Sequence, residues 1–265
     1  MKITLIITTY NWYESLLLVL KSVEAQSVLP DEIIIADDGS SHETKEVIIS
    51  FQKNSNINII HSWQDDVGFR ASRSRNKALN KASGKYIILV DGDVILHPKF
   101  IQDHILNSQE GYFIQGFRVL MSENLTRKTL VNKNISFSVF SLGIMNRKNA
   151  IHSHFLSKLL SNKKFDLRGI KSCNMSFYLE DCLNVNGFNN EFEGWGREDS
   201  EFIVRLMNNG VKRKNIRFSA NQFHLWHNEN TRGKLSQNNI ILNHAINSGS
   251  KWCENGINKI EKNEN

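Results

Sequence analysis

Two carboxylates stand two positions apart, at Asp91 and Asp93, directly after the apolar run Tyr86–Val90. Gly92 separates them and has no Cβ, so a ligand can come close to the backbone there. Carboxylate oxygens suit Mg²⁺ or Mn²⁺, and such ions usually bridge to the phosphates of a substrate. The pattern indicates a divalent-metal site for a phosphorylated ligand, with a solvated turn as the alternative.

Two imidazoles stand three positions apart, at His224 and His227. Neutral imidazole binds Mn²⁺, Zn²⁺ or Fe²⁺. Together with Asp93, one or both histidines would make a mixed oxygen and nitrogen donor set, which suits Mn²⁺ better than an all-oxygen Mg²⁺ site would. Histidines in an apolar stretch are also common as hydrogen-bonded core residues, so the pair alone leaves both interpretations open.

Paired acids follow a tryptophan flanked by glycines in the string Gly194-Trp195-Gly196-Arg197-Glu198-Asp199. The glycines let the backbone turn around a large ring, so that Trp195 can stack on the apolar face of a sugar. Glu198 and Asp199 begin the helix predicted over Arg197–Asn208, where the helix dipole favours ionised carboxylates. An ionised carboxylate beside a bound hydroxyl can act as a general base. The alternative is purely structural: acidic residues at a helix N-terminus beside a tryptophan in the core would give the same string.

Strand and helix patterns alternate over the first 110 residues, which predicts βαβ units and a parallel sheet. Ligands bind outside the carboxyl ends of the strands of such a sheet. Three polar turns follow strands, at Thr8–Tyr10, Asp37–Ser40 and Asp91–Asp93, and we expect them to converge on one crevice. The predicted strands are Ile3–Thr8, Glu32–Ala36, Ile57–His61 and Lys85–Val90, and the helices are Glu14–Ala25, Glu43–Gln52 and Arg70–Ala82.

Composition describes an ordinary folded chain of 265 residues, 40% hydrophobic and 23% charged, with a mean hydropathy of −0.38. Apolar runs of about five residues fall far short of the ~18–20 that span a bilayer. The N-terminus is too polar for a signal peptide. The three scattered cysteines form neither a disulfide framework nor a zinc pattern, so we expect a reduced, cytoplasmic protein.

Positive charge is concentrated in residues 118–168, which hold ten Lys/Arg and two acids in a chain of net charge +6. Such a basic insertion fits phosphates, nucleic acid or a membrane surface, or a solvated loop region. Nucleic acid is disfavoured, because aromatic residues do not alternate regularly with the basic ones. The amphipathic stretch Ala150–Leu160 lies inside the insertion and indicates peripheral contact with the inner membrane face, with a helix packed into the acceptor lobe and its basic residues solvated as the alternative.

The strand-end strings together resemble those of family 2 glycosyltransferases of the nucleotide-diphosphosugar-transferase fold. Residues 170–228 are similar to the galactosyltransferase carboxy-terminal region, which also occurs in chondroitin-type polymerases and β-1,4-galactosyltransferases. Many bacterial relatives have Asp-Glu where this chain has Asn189-Asn190. The strings that carry the resemblance are Ile6-Ile7-Thr8-Thr9-Tyr10-Asn11, Asp37-Asp38-Gly39-Ser40, Gln64–Arg70 with Arg75-Asn76, Asp91-Gly92-Asp93, Asn174-Met175-Ser176 and Gly187–Asp199.

The resemblance implies one α/β domain of GT-A type, with a mostly parallel central sheet flanked by helices and an irregular basic insertion. Residues 1–118 would form the nucleotide-sugar-binding half and residues 119–228 the acceptor-binding and catalytic half. Residues 229–265 would be a C-terminal extension.

The resemblance also implies residue roles. Thr8, Tyr10, Asp38, Arg70 and Asp91 would hold the UDP part of the donor, with Asp38 and Arg70 near the uracil. His224 lies where β-1,4-galactosyltransferases have a methionine ligand. The remaining roles are Mn²⁺ ligation (with Mg²⁺ as the alternative) by Asp93, His227 and His224, sugar contact by Trp195 and Glu198, and general-base catalysis by Asp199.

The function implied is inverting, metal-dependent transfer of a hexose from a UDP-sugar to a hydroxyl of a glycan acceptor. Galactose-type sugars or N-acetylhexosamines are favoured, in synthesis of bacterial lipopolysaccharide, O-antigen or capsule on a lipid-linked acceptor. A nucleotidyltransferase is the alternative enzyme, but the loop Thr8–Trp12 is not a glycine-rich phosphate loop. A non-catalytic carbohydrate- or nucleotide-binding subunit is the alternative without chemistry. A dinucleotide-dependent dehydrogenase is excluded, since G-x-G-x-x-G follows none of the strands.

Overall fold

The computed structural model describes residues 1–164, 167–228 and 231–260. An eight-stranded sheet in the order β3-β2-β1-β4-β9-β6-β10-β8 forms the centre, and β5-β11-β7 form a small second sheet. The strands within the described residues are β1 (Ile3–Thr9), β2 (Glu32–Asp37), β3 (Asn58–Trp63), β4 (Tyr86–Asp91), β5 (Val94–Leu96), β6 (Tyr112–Gln115), β7 (Val119–Leu120), β8 (Asn162–Lys164), β9 (Asn174–Tyr178), β10 (Lys212–Asn215) and β11 (Gln222–His224).

Helices cover both faces of the large sheet. The helices within the described residues are α1 (Tyr13–Glu24), α2 (His42–Asn54), α3 (Ala71–Lys81), α4 (Phe100–Asn107), α5 (Glu123–Asn132), α6 (His154–Leu160), α7 (Leu179–Asn184), α8 (Glu198–Asn208) and α9 (Leu235–Ser248). Because successive side chains on a strand point to opposite faces, Leu5 lies in one core with residues of α1, α2 and α4, while Ile6 lies in another with residues of α3, α7 and α8.

The first four strands pair in parallel, as the alternating pattern predicts. In β1, β2 and β4 the runs of isoleucine, valine and leucine are buried on both faces, which is typical of a parallel sheet covered by helices, whereas β3 is a partly exposed edge strand. Beyond β4 the sheet is mixed, because β9 enters between β4 and β6 and runs antiparallel to both. The α/β class is the one expected, and the second half of the chain completes the sheet that the first half begins.

The small sheet holds β5, the strand that follows Asp93, against β11. β11 pairs antiparallel with β5, so that His224 lies opposite Val94, and it pairs in parallel with β7. Buried Ile95, Phe223 and Leu225 form a separate core beneath this sheet. A rigid ladder therefore connects the end of β4 with the histidine-bearing end of β11.

The amphipathic stretch Ala150–Leu160 is not one helix, which corrects the continuous element that its pattern predicts. A 3₁₀ turn ends at Ala150, the chain is irregular to Ser153, and α6 follows. Phe155 is 77% exposed and Leu159 is 68% exposed, so this apolar side is not packed into the core. No helix among the residues described is both long and apolar enough to cross a bilayer.

Candidate active site

The three polar turns predicted from the sequence do converge at the carboxyl edge of the parallel strands. Thr8 on β1 pairs with Asp91 on β4, and the amide of Asp38 donates to the carbonyl of Thr9 at 3.0 Å. Gly92 is required by this crowding, because a Cβ on it would lie 2.9 Å from the carbonyl oxygen of Thr8. The edge therefore forms one crevice lined by β1, β2 and β4.

The three predicted metal ligands lie together at this edge. Asp93 Oδ2 is 3.2 Å from Nε2 of His227 and 3.5 Å from Nε2 of His224. The amide of Leu225 donates to the carbonyl of Asp93 at 2.9 Å, which holds the chain between the two histidines against the end of β4. Ligand atoms from all three side chains lie within 4.8 Å of one another.

The chemistry of this set fits a divalent cation. Asp93 Oδ1 is buried and has no hydrogen-bond partner among the described residues, and such an orphaned oxygen is costly unless an ion or water satisfies it. Nδ1 of His227 lies 2.7 Å from the carbonyl of Asn228 and must donate to it, so Nε2, which faces Asp93, is the ring nitrogen left to bind an ion once it is deprotonated. Burial alone would raise the pKa of Asp93, but His224, His227 and Arg118 hold it below its usual value. The carboxylate is thus ionised, as a ligand must be.

Arg75 joins the predicted site residues on three separate elements. Its Nη1 lies 3.2 Å from Glu198 Oε1, its Nη2 lies 3.6 Å from Asp91 Oδ1, and its Nε donates to Thr8 Oγ1 at 3.3 Å. The guanidinium is almost fully buried on α3, where its fixed geometry suits several acceptors at once. Glu198, expected to contact a sugar, is itself buried in this ion pair.

Asp199, the predicted general base, lies at the start of α8 with its carboxyl held by Ser200. Its Oδ1 accepts from the amide of Ser200 at 2.6 Å and from the Ser200 hydroxyl at 3.2 Å. Burial, followed by the neighbouring charge of Glu198, raises the pKa of Asp199 to about 7, against the opposing effect of Arg75. A carboxyl with a pKa near neutrality is well matched to taking a proton from a hydroxyl.

The loop after β3 contacts the side chains that are expected to bind uridine. Asp38 Oδ1 accepts from Gln64 Nε2 at 2.6 Å, and Oδ2 accepts from the amide of Arg70 at 2.7 Å. Tyr10 donates from its hydroxyl to Asp66 Oδ2 at 2.9 Å, while its residue remains 49% exposed. Asp38 therefore shapes the loop with both of its oxygens, and Tyr10 presents a ring to the crevice mouth.

Trp195 stands beside that loop. The amide of Gly194 donates to the carbonyl of Phe69 at 3.0 Å, which joins the two loops. The indole is partly exposed, and the guanidinium of Arg232 lies 5.5 Å from its ring centroid. An exposed aromatic surface thus adjoins the loop that carries Arg70, on the side from which α8 begins.

Two cations that the sequence did not single out lie near the carboxylates. Burial raises the pKa of Asp91 to about 6 against the opposing charges of Arg75 and Arg118, and Arg118 also helps His224 and His227 to hold the pKa of Asp93 below its usual value. Lys171 has its own pKa lowered by partial burial and then by Arg118, while Asp199 and Asp91 oppose this. Arg118 belongs to the basic insertion, so part of that charge serves the crevice. The sequence near Arg118 and Lys171 shows no pattern that predicts this position, because only the fold brings the two side chains close to the carboxylates.

Comparison with protein families gives two matches. The family described as "Glycosyl transferase family 2" matches residues 4–183. The family described as "N-terminal domain of galactosyltransferase" matches residues 153–228. The second match overlaps the region in which the sequence is similar to galactosyltransferases.

Similar curated proteins include two glycan polymerases. Chondroitin synthase of Escherichia coli is 27% identical over 226 residues, covering 78% of this chain and 32% of the relative. Hyaluronan synthase of Pasteurella multocida is 26% identical over 231 residues, covering 81% and 24%. The chain spans a third or less of these relatives. GalNAc(5)-diNAcBac-PP-undecaprenol beta-1,3-glucosyltransferase of Campylobacter jejuni is 26% identical over 170 residues, covering 62% and 55%.

Solved structures share the fold. Staphylococcus aureus TarS 1-349 in complex with UDP aligns with a TM-score of 0.62 at 15% identity, covering 91% of this chain and 64% of the other. The mannosyltransferase PcManGT of Pyrobaculum calidifontis, in complex with GDP-Man and Mn²⁺, aligns with a TM-score of 0.59 at 14% identity, covering 89% and 59%. With the family match over most of its length, this chain belongs to glycosyl transferase family 2 and has the GT-A-type fold of these neighbours.

Proposed function

We propose that this family 2 glycosyltransferase is an inverting, divalent-metal-dependent enzyme that moves a hexose from a UDP-sugar to a hydroxyl of a glycan acceptor. One observation carries the proposal. Arg75 connects the Asp93 set with Asp199: it contacts Asp91, which lies close to Asp93, and Glu198, and it is close enough to Asp199 to be affected by its charge. Galactose-type sugars and N-acetylhexosamines are the favoured donors, a choice supported by the galactosyltransferase match.

Donor binding follows the strand ends. Asp38 and Arg70 would border the uracil, Thr8 and Tyr10 would line the rest of the uridine pocket, and Asp91 would reach the ribose. This is supported by the way in which the loop after β3 folds over Asp38. Two side chains near the carboxylates, Arg118 and Lys171, supply positive charge for a diphosphate.

Asp93 and His227 would hold Mn²⁺, with His224 beside them and Mg²⁺ as the alternative ion. When bound, Mn²⁺ supplies Lewis-acid neutralisation of the charge on the leaving diphosphate. Asp93 is ionised, as a ligand must be, and His227 would give up the Nε2 proton that its contact with Asp93 favours when the ion binds.

Transfer would proceed by one displacement. Asp199 takes the proton of the acceptor hydroxyl, whose oxygen attacks the anomeric carbon while the bond from that carbon to the UDP oxygen breaks. Attack opposite the leaving group inverts the anomeric centre. Glu198 keeps Asp199 basic through its charge, Arg75 holds Glu198 in place, and Trp195 offers an apolar face to a sugar ring.

The acceptor would be a lipid-linked intermediate of bacterial lipopolysaccharide, O-antigen or capsule, met at the cytoplasmic face of the membrane. Relatives named for polysaccharide synthesis, one of them for an undecaprenol-linked glycan, support this context. The basic insertion adds exposed apolar side chains next to exposed cations, among them Phe155 and Leu159 beside Lys158. Such a surface fits an anionic bilayer.

A donor panel tests the proposal. Several UDP-sugars are incubated with the protein and Mn²⁺, and released UDP is measured with and without EDTA. We expect slow, Mn²⁺-dependent UDP release from one or two donors. Pyrophosphate release from UTP and a sugar phosphate would instead identify a nucleotidyltransferase. Donor binding that never yields UDP, even with a broad set of glycan acceptors, would identify a binding subunit.

A further inference from the structure

A second cluster of metal-ligating side chains lies away from the crevice. Asp103 on α4 has its Oδ2 at 2.9 Å from Nε2 of His152, and its Oδ1 at 3.8 Å from Nδ1 of His154. One ligand atom from each residue lies within 4.8 Å of the others. Neither histidine belongs to the catalytic arrangement described above.

Asp103 has an unsatisfied oxygen that faces this cluster. The residue is fully buried, and Oδ2 already accepts from His152 and from the amide of Ala220 at 2.7 Å. Oδ1 is buried and has no hydrogen-bond partner in the described part of the chain. Nδ1 of His154 lies 3.8 Å from Oδ1, which is too far for a hydrogen bond. A bound cation would satisfy this oxygen.

The donor set and its spacing fit zinc. Two imidazoles and one carboxylate are ligands that Zn²⁺ takes, with bonds of about 2.0–2.2 Å, so tetrahedral ligand atoms stand roughly 3.3 Å apart. The two histidine nitrogens lie 2.9 and 3.8 Å from the two different oxygens of Asp103, so both imidazoles face the carboxylate at distances near that value. His152 is held between two other rings, stacked on His97 at 4.3 Å and edge-on to His154 at 5.1 Å. The ligands are therefore largely preorganised, and half-exposed His154 leaves the fourth position open to water.

The cluster joins three parts of the chain. Asp103 lies on α4, and His152 and His154 lie in the basic insertion. The amide of Ser153 donates to the carbonyl of Phe218 at 2.8 Å, in the segment that leads to β11. Phe218 and Ala220 have φ values of 57° and 49°, a region that costs energy for residues with a Cβ.

This segment leads directly to the β5–β11 ladder, which carries His224. β11 continues to His224, and the amide of His97, after β5, donates to the carbonyl of Asn221 at 3.0 Å. One end of the β5–β11 ladder thus meets the Asp93 set, and the other end meets the Asp103 cluster. An ion at Asp103 would hold the insertion and this strained segment against α4.

We propose that Asp103, His152 and His154 form a second divalent-cation site, which takes zinc with water as a fourth ligand and fastens the basic insertion to the end of the β5–β11 ladder that lies away from Asp93. The proposal does not depend on the catalytic one, because no residue is shared between the two sets.

Metal counting on the full chain tests this. The protein is stripped with a chelator, dialysed against micromolar Zn²⁺ in millimolar Mg²⁺, and analysed for zinc per chain. Since the same donor types form both clusters, we expect two ions in the wild type. His154→Ala and Asp93→Ala should each retain one ion, and the double variant none. Zn²⁺ should also raise the Tm of Asp93→Ala, and this rise should vanish in the double variant.

His244→Ala is the matched control, since it removes an exposed histidine on α9 that belongs to neither cluster, and it should retain two ions. Wild-type zinc content in His154→Ala would overturn the proposal. So would an anomalous difference map of zinc-soaked wild-type crystals without a peak between Asp103 and the two histidines, a readout that needs no variant to fold. If zinc binds between Asp103 and the two histidines but not at Asp93, the result supports the second site and contradicts the proposed catalytic metal set.

Discussion

At the scale of single residues, the central feature is the partly buried carboxyl of Asp199, whose pKa the fold raises. Asp199 sits beside Glu198, and both face Arg75, so that one cation partly offsets two acids. Burial without this arginine would favour the protonated acid, and a stronger pairing would make the carboxylate a poor base. The balance leaves a pKa of about 7.

Asp199→Asn should remove the base while preserving shape. We expect turnover to fall about 10²–10⁴-fold, the usual contribution of general-base catalysis. UDP affinity should stay within about twofold, because Asp199 contacts none of the predicted uridine residues. Steady-state rates and calorimetric UDP titration of both proteins check this. Equal losses of rate and UDP affinity would mean that Asp199 serves donor binding instead.

The raised pKa of Asp199 predicts an acid limb in the pH profile. Below pH 7 the carboxyl is protonated and cannot accept the hydroxyl proton, so kcat/KM should fall about tenfold per pH unit. The charged groups facing it are Glu198, Arg75 and Lys171. Glu198→Gln removes a negative neighbour and should move the limb to lower pH. A profile flat from pH 5 to 8 would contradict this assignment.

The residues of the site divide into those that a sequence can reveal and those that it cannot. Asp93 and Asp199 stand at the end of a strand and the start of a helix, and such places are visible in local patterns. Arg75 stands in one of the strings that resemble the family and Arg118 in the basic insertion, but neither string shows the contacts that these arginines make across the fold. A buried arginine on a helix of small and polar residues carries no local sign of the three partners that it contacts.

At the scale of elements, the turn after β4 depends on close contact with β1. Gly92→Ala would place a Cβ 2.9 Å from the carbonyl oxygen of Thr8 and 3.0 Å from Thr9 Oγ1. We expect a loss of about 1–3 kcal/mol in stability, typical of overpacking, and a higher KM for the donor as Asp93 shifts. Gly233→Ala is the control, with open space around its Cβ. Similar unfolding curves for the two variants would argue against this constraint.

The insertion helix α6 offers a second test at this scale. Its exposed Phe155 and Leu159, with Lys158 between them, should associate with anionic vesicles at low salt. Lys158→Glu together with Lys148→Glu should weaken flotation with phosphatidylglycerol vesicles and leave donor hydrolysis unchanged. Lys45→Glu, on α2 outside the insertion, is the matched charge control. If the wild type does not float with the vesicles at low salt, the proposed membrane contact is wrong.

At the scale of the whole molecule, the first half of the fold follows from local patterns and the second half does not. β1 to β4 alternate with helices, so the period and length of each segment predict both the element and its parallel pairing. β9 is recognisable as a strand, but its position between β4 and β6 depends on partners far away in sequence. The same long-range pairing makes the Asp103 cluster, whose residues stand about fifty positions apart.

The dependence of UDP binding on the cation tests the central claim most directly. Calorimetric titration of UDP should show an affinity at least about tenfold higher in Mn²⁺ than in EDTA, because Asp93 and His227 would hold the cation against the diphosphate. Asp93→Ala should abolish the difference, and Asp199→Asn should retain it. Equal UDP affinity of the wild-type protein in Mn²⁺ and in EDTA would contradict the proposed metal site and the mechanism built on it.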